Sequence, residues 1–98
     1  MKVLQNRLHK WQVKTFPEST PLAKLEHLKK EIEEVERALR YNDSKDILEL
    51  ELADCALLLF GIAGLKEVDL IKACKKKLKI NKKRKWNKPV NGVYFHKK

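Results

Sequence analysis

Apolar residues recur at spacings of three and four between residues 22 and 39: Leu22, Leu25, Leu28, Ile32, Val35 and Leu39. That period predicts an amphipathic helix over about residues 21–41. Thr20 stands where an N-cap belongs, and Pro21 takes the first helical position. Leu4, Leu8 and Trp11 share one stripe and predict an earlier helix over about 2–14, stopped by the Phe16-Pro17 stretch. Asn42, Asp43 and Ser44 supply a turn, after which a third helix is expected over about 45–63, with Gly64 as its C-cap. A fourth is expected over about 68–85. Pro89 and Asn91-Gly92 rule out further helix, so residues 86–98 read as an extended tail. Strand-like alternation is scarce. The chain reads as all-α, four helices in a single domain, 1–98.

The third helix is apolar on every side and is therefore expected to be buried. Between Leu50 and Leu65 its only charges are Glu51 and Asp54. The stretch falls short of the ~20 residues of a membrane span, and the polar first residues form no leader. Burying an unpaired carboxylate costs several kcal/mol or forces protonation. Lysines of the fourth helix or a metal cation would offset that cost. Glu31 and Glu34 sit about 60° apart beside the apolar stripe of the second helix, as Glu51 and Asp54 do on the third. Glu33 and Glu36 point elsewhere. A short turn between the two helices brings their inner faces together, so Glu31, Glu34, Glu51 and Asp54 converge. Four carboxylates without Cys or His ligands make an oxygen-only site suited to Mg²⁺ or Mn²⁺, cations that bridge to phosphates.

Charge adds a second theme. The formal net charge is +10, yet residues 1–69 hold 11 Lys/Arg against 13 Asp/Glu, and residues 70–98 hold 12 Lys/Arg and no acid. A basic end implies an anionic partner. One stripe of the fourth helix runs Leu70, Ala73, Lys77, Asn81, Arg84, so it turns from apolar to polar partway along. Its polar half suits phosphate oxygens. The other lysines form a solvated face or, with Trp86, Tyr94 and Phe95, a surface for nucleic acid. A basic helical nucleic-acid-binding protein is thus the alternative to a nucleotide site. Cys55 and Cys74 lie in apolar helical patterns and read as free thiols in a reducing cytoplasm. Trp11, Gln12 and Phe16 are either core or the aromatic face and amide of a base pocket. His27 is either a partner of the acids or a surface histidine.

Glu31-x-x-Glu34, sixteen residues, then Glu51-x-x-Asp54 resembles the signature of the MazG-like all-α nucleoside triphosphate pyrophosphohydrolases. The stretches WQVKTFP (11–17), HLKKEIEEV (27–35), ELADCALLL (51–59), KKLKINKKRKW (76–86) and NKPVNGVYFHKK (87–98) look like the branch of dATP/dGTP diphosphohydrolases, many of them from phages. The resemblance implies a MazG-like four-helix fold with a basic tail. It also implies hydrolysis of a deoxynucleoside triphosphate, dATP or dGTP, to the monophosphate and pyrophosphate. Two or three Mg²⁺ ions, or Mn²⁺ in their place, would be held by Glu31, Glu34, Glu51 and Asp54. Glu34 is the preferred base for the attacking water. Lys77, Asn81 and Arg84 match a Lys-x-x-x-Asn-x-x-Arg pattern that contacts substrate phosphates, and the base would lie near Trp11, Gln12, Phe16 and His27. An oligomer, dimer or tetramer, follows from the apolar third helix and from the resemblance. So does a place in the cytoplasm of a bacterial or phage-infected cell, without a membrane partner.

Overall fold

A computed structural model describes residues 2–97 and builds them into four helices: α1 (Lys2–Thr15), α2 (Pro21–Arg40), α3 (Lys45–Leu65) and α4 (Leu70–Lys83). The fold is all-α. Each of the last three helices starts on a side-chain cap. Thr20 Oγ1 accepts from Ala23 N at 3.1 Å, Ser44 Oγ from Ile47 N at 3.3 Å, and Asp69 Oδ1 from Lys72 N at 3.1 Å. Such caps are worth about 1 kcal/mol each. Asp69 explains why α4 begins at Leu70 and not at Val68. Gly64 is not the C-cap of α3. The helix runs one residue past it to Leu65, and the reversal falls on Glu67, whose φ is 56°. Gly64 instead lets α1 approach: a Cβ there would sit 2.8 Å from His9 Nδ1.

The α2–α3 hairpin is the centre of the molecule, and α1 lies along α3. Its inner seam on α2 is Lys24, Leu28, Glu31, Val35 and Ala38, with the acid among apolar neighbours. Those five lie within about 40° of the seam's centre. The stripe expected from hydrophobicity is therefore only partly the packing face. Leu28 is buried, but Leu22, Leu25, Ile32 and Leu39 form an exposed apolar edge beside it. On α1 the expected stripe shifts as well. Gln5 and Gln12 are buried, whereas Leu4 and Trp11 stay exposed.

Nor is α3 buried on every side. Gly61 and Ala63 are buried, while Ile47, Leu50, Leu52, Leu57 and Leu59 are exposed. A single copy of the chain covers only the sides that α1 and α2 reach. Helix α4 projects from the rest, tied back by Gln5, whose Nε2 donates to Val68 O at 2.7 Å and whose Oε1 accepts from Leu70 N at 3.1 Å. The Cα radius of gyration is 16.0 Å, against about 13 Å for a compact domain of this length.

The residues after α4 are not a simple extended tail. Val90 and Val93 exchange backbone hydrogen bonds, both 2.9 Å, around Asn91 and Gly92. Both turn residues have positive φ, 50° and 79°, the geometry that matches strand twist in a two-residue hairpin. Asn87 N donates to Phe95 O at 2.8 Å, and Lys97 N to Lys85 O at 2.7 Å. The tail is a folded ribbon.

Candidate active site

Midway along the hairpin, Glu31 of α2 meets Glu51 and Asp54 of α3. One carboxylate oxygen from each lies within 4.8 Å of the others. Glu31 and Glu51 are half-buried and Asp54 is exposed, so Asp54 is not shut away as its apolar surroundings in sequence predict. The reason is the uncovered flank of α3. Among the described residues no lysine or arginine pairs with Glu31, Glu51 or Asp54; the ion pairs lie elsewhere, and Glu31 has only His27, whose Nε2 is 3.1 Å from Glu31 Oε1. His27 is thus a partner of the acids in geometry. Glu34 stands outside the tight trio and faces Arg37 at 3.8 Å, but its charge is felt at Glu51.

The Glu51 carboxyl is pushed above the usual carboxylate range. Loss of solvent is the first cause, followed by the charges of Glu34, Asp54, Glu31 and Asp43. The Cys55 thiol, one residue beyond Asp54, is raised in the same way by burial and then by Glu31, Asp54 and Glu51. Like charges gathered at this density without a counter-charge fit a divalent cation bound through oxygen.

A groove of about 720 Å³ opens beside the acids. Trp11, Gln12, Phe16 and His27 all line it, together with Glu31, Asp54 and Lys24. Trp11 and Phe16 meet edge to face, with ring centroids 5.3 Å apart at 89°. Gln12 is 2% exposed. Its Nε2 donates to Gly61 O at 2.9 Å and lies 3.3 Å from His9 Nδ1, while its Oε1 is covered and unpartnered. The amide nitrogen therefore pins α1 to α3, while Oε1 has no hydrogen-bond partner among the described residues. Lys77, Asn81 and Arg84 are not part of the groove wall. Arg84 Nη1 lies 3.5 Å from Asn81 Oδ1, both on the projecting α4.

Lys24 was not singled out in the sequence. It is only 9% exposed, and its ammonium lies 5.9 Å from the Phe16 ring centroid. Burial lowers its pKa from the usual lysine value. The signal was its register: Lys24 precedes Glu31 by seven residues, two turns along the same seam.

The arrangement of helices is shared with a solved structure, a Cyanophage S-2L MazG-like pyrophosphohydrolase bound to dGDP and three catalytic Mn²⁺ ions per active site. The likeness has a TM-score of 0.77 at 29% identity and covers 99% of this chain and 96% of that one. A helical hairpin of this type, with acids on facing helices, defines the MazG-like pyrophosphohydrolase class. The chain belongs to the dATP/dGTP pyrophosphohydrolase family, whose sequence profile matches residues 4–96. It is 34% identical over 93 residues to a dATP/dGTP diphosphohydrolase of Salmonella phage PMBT28, covering 95% of this chain but 30% of that protein. It is 32% identical over 93 residues to the dATP/dGTP diphosphohydrolase of Cyanophage S-2L, covering 95% of this chain and 84% of the relative. The chain therefore spans less than a third of the length of the first relative.

Proposed function

We propose that the protein hydrolyses a purine deoxynucleoside triphosphate, dATP or dGTP, to the monophosphate and pyrophosphate. The observation that carries this reading is the uncompensated trio Glu31, Glu51 and Asp54 at the mouth of an aromatic groove. In it the base lies against Trp11 and Phe16, and the phosphates reach toward the carboxylates. Glu31, Glu51, Asp54 and the neighbouring Glu34 would hold two or three Mg²⁺ or Mn²⁺ ions. When bound, such ions neutralise phosphate charge and lower the pKa of a coordinated water. Glu34, outside the tight trio, is the residue left to orient or deprotonate the attacking water. Water adds across the α–β anhydride, giving the monophosphate and pyrophosphate. His27 keeps Glu31 in place through its 3.1 Å contact. The relatives' activities and the ligands of the cyanophage structure support the same assignment.

Lys77, Asn81 and Arg84 would hold the departing phosphates, which requires α4 to meet an acid cluster. The surface suggests how. The chain exposes 8515 Å², whereas a compact monomer of 11.5 kDa exposes about 5,800 Å². The excess, roughly 2,700 Å², lies at or just above the upper end of what each chain of an obligate homo-oligomer buries, about 1,000–2,500 Å². A homodimer or homotetramer would cover the outer sides of α2 and α3 and bring α4 of one copy toward the acids of another. No described helix is long and apolar enough to cross a membrane; a role in the cytoplasm of a bacterial or phage-infected cell rests on the phage origin of the relatives.

The test is direct. Purified protein is incubated with each NTP and dNTP, with Mg²⁺, Mn²⁺ or neither, and the products are separated by ion exchange. Monophosphate and pyrophosphate from dATP or dGTP, only with a divalent ion, is the expected result. Orthophosphate release, or no turnover with any nucleotide, would overturn the reading.

A further inference from the structure

Helix α4 carries two basic faces, and the phosphate contacts proposed above involve only the one with Lys77 and Arg84. Lys72, Lys75, Lys76, Lys79 and Lys83 line a separate groove along α4. All five are exposed, and none forms an ion pair among the described residues. On the helical wheel they lie within about 60° of Lys72, while Lys77 and Asn81 lie about 140–180° away. Leu70, Cys74 and Leu78 share the Asn81 side. A partner seated on the Leu70–Cys74–Leu78 side of α4 would lie opposite this lysine face, whose groove also includes Ile80.

The face does not stop at the end of the helix. Trp86 Nε1 donates to Asn81 O at 3.2 Å, which pins the start of the C-terminal ribbon to the last turn of α4. Trp86 also meets His96 edge to face across the ribbon, with centroids 6.0 Å apart. The ribbon adds Lys85, Lys88 and Lys97 and contains no acid. It presents Trp86, Tyr94 and Phe95 to solvent at 41%, 61% and 57% exposure. Lysines running into exposed aromatic rings on a folded support combine the two elements that hold an unpaired strand, phosphate neutralisation and base stacking.

We propose that the outer lysine face of α4 and the attached ribbon bind single-stranded nucleic acid, as a function separate from nucleotide hydrolysis. A duplex keeps its bases stacked inside and gives the exposed rings nothing to stack on. A lipid surface would take up the apolar side of α4, which lies away from these lysines.

The experiment uses the whole protein, without divalent ions. Fluorescence anisotropy is followed with a labelled 20-nucleotide oligo(dT), oligo(rU) and a 20-base-pair duplex over roughly 50–200 mM KCl. Phosphatidylcholine/phosphatidylserine vesicles are tested in parallel. With four or five phosphates engaged, log affinity for a single strand falls against log salt with a slope of about −3. Lys72→Glu/Lys79→Glu/Lys83→Glu weakens that binding at least about tenfold and makes the slope shallower by about 2, while dNTP turnover is unchanged. Lys→Gln at the same positions moves both in the same direction without introducing acids. Tyr94→Ala or Phe95→Ala lowers affinity about 5- to 100-fold at an unchanged slope. The two single strands distinguish DNA from RNA as the natural ligand. No strand binding at the lowest salt, a preference for duplex, capture by vesicles without oligonucleotides, or unaltered binding by the lysine variants would each overturn the proposal.

Discussion

Gln12 and Gly61 are joined by a 2.9 Å hydrogen bond between α1 and α3, and the contact exists because residue 61 has no side chain. A Cβ on Gly61 would stand 2.7 Å from Gln12 Oε1 and 3.3 Å from Lys24 Cδ. Gly61→Ala should therefore forgo the ~1 kcal/mol that alanine usually brings to a helix. Displacing Gln12 costs its buried hydrogen bond, about 1–3 kcal/mol. A net loss of about 1 kcal/mol in urea unfolding is expected, together with a raised KM, because α1 carries Trp11 and the groove wall. Stabilisation by the full alanine increment would show that Gln12 does not hold the two helices.

Glu51 supplies the pH dependence. Its carboxyl has a higher pKa in the folded chain than the ordinary value of 4.5. The folded state thus binds this proton more tightly than the unfolded state does. The stabilising effect is complete below pH 4.5 and fades as pH rises through the raised folded value. Metal-free protein should lose Tm over that interval, and Glu51→Gln should flatten the loss. The same substitution should remove the Tm increase produced by Mg²⁺ or Mn²⁺ and abolish turnover with the helix content intact. Scanning fluorimetry with and without divalent ions reads both effects.

Lys24 is a cation with little water and a ring beside it. Lys24→Met keeps the aliphatic stem against Gly61 and deletes the charge. Stability should stay level or rise slightly, since burial already disfavours the ammonium. KM for the triphosphate should rise roughly tenfold or more, the equivalent of a charged hydrogen bond of about 1.5–3 kcal/mol. An unchanged KM would leave Lys24 with a packing role only.

Assembly is read most simply by light scattering behind a sizing column. The native chain should elute at twice or four times 11.5 kDa. Leu50→Glu/Leu52→Glu, two exposed positions on opposite flanks of α3, should shift it toward the single-chain mass. A monomeric native protein with full activity would contradict the assembly.

The helices were legible because capping and period speak locally. Thr20, Pro21 and Ser44 mark their ends in sequence as they do in space. The acids were legible because Glu51 and Asp54 are the only charges in a long apolar run. The packing faces were less so. Hydrophobicity selected Leu22, Leu25 and Ile32, but the seam runs through Lys24, Leu28 and Glu31, since α2 carries more apolar positions than its contact with α3 covers. Gln5 and Gln12 were passed over for a related reason. Their burial follows from specific hydrogen bonds to Val68, Leu70 and Gly61, which no periodicity encodes. The ribbon lay in the Asn91-Gly92 pair, read as a turn but not as the pivot of two paired segments.

Cys55 sits where a redox-sensitive enzyme would be most exposed to damage, next to the acid trio Glu31, Glu51 and Asp54. Burial, and after it the charges of Glu31, Asp54 and Glu51, raises the pKa of its thiol, and the thiolate is the form that peroxides and alkylating agents attack. Lost solvent and gathered negative charge thereby shield the thiol beside the trio, so in metal-free protein Cys55 should react slowly with alkylating agents at neutral pH.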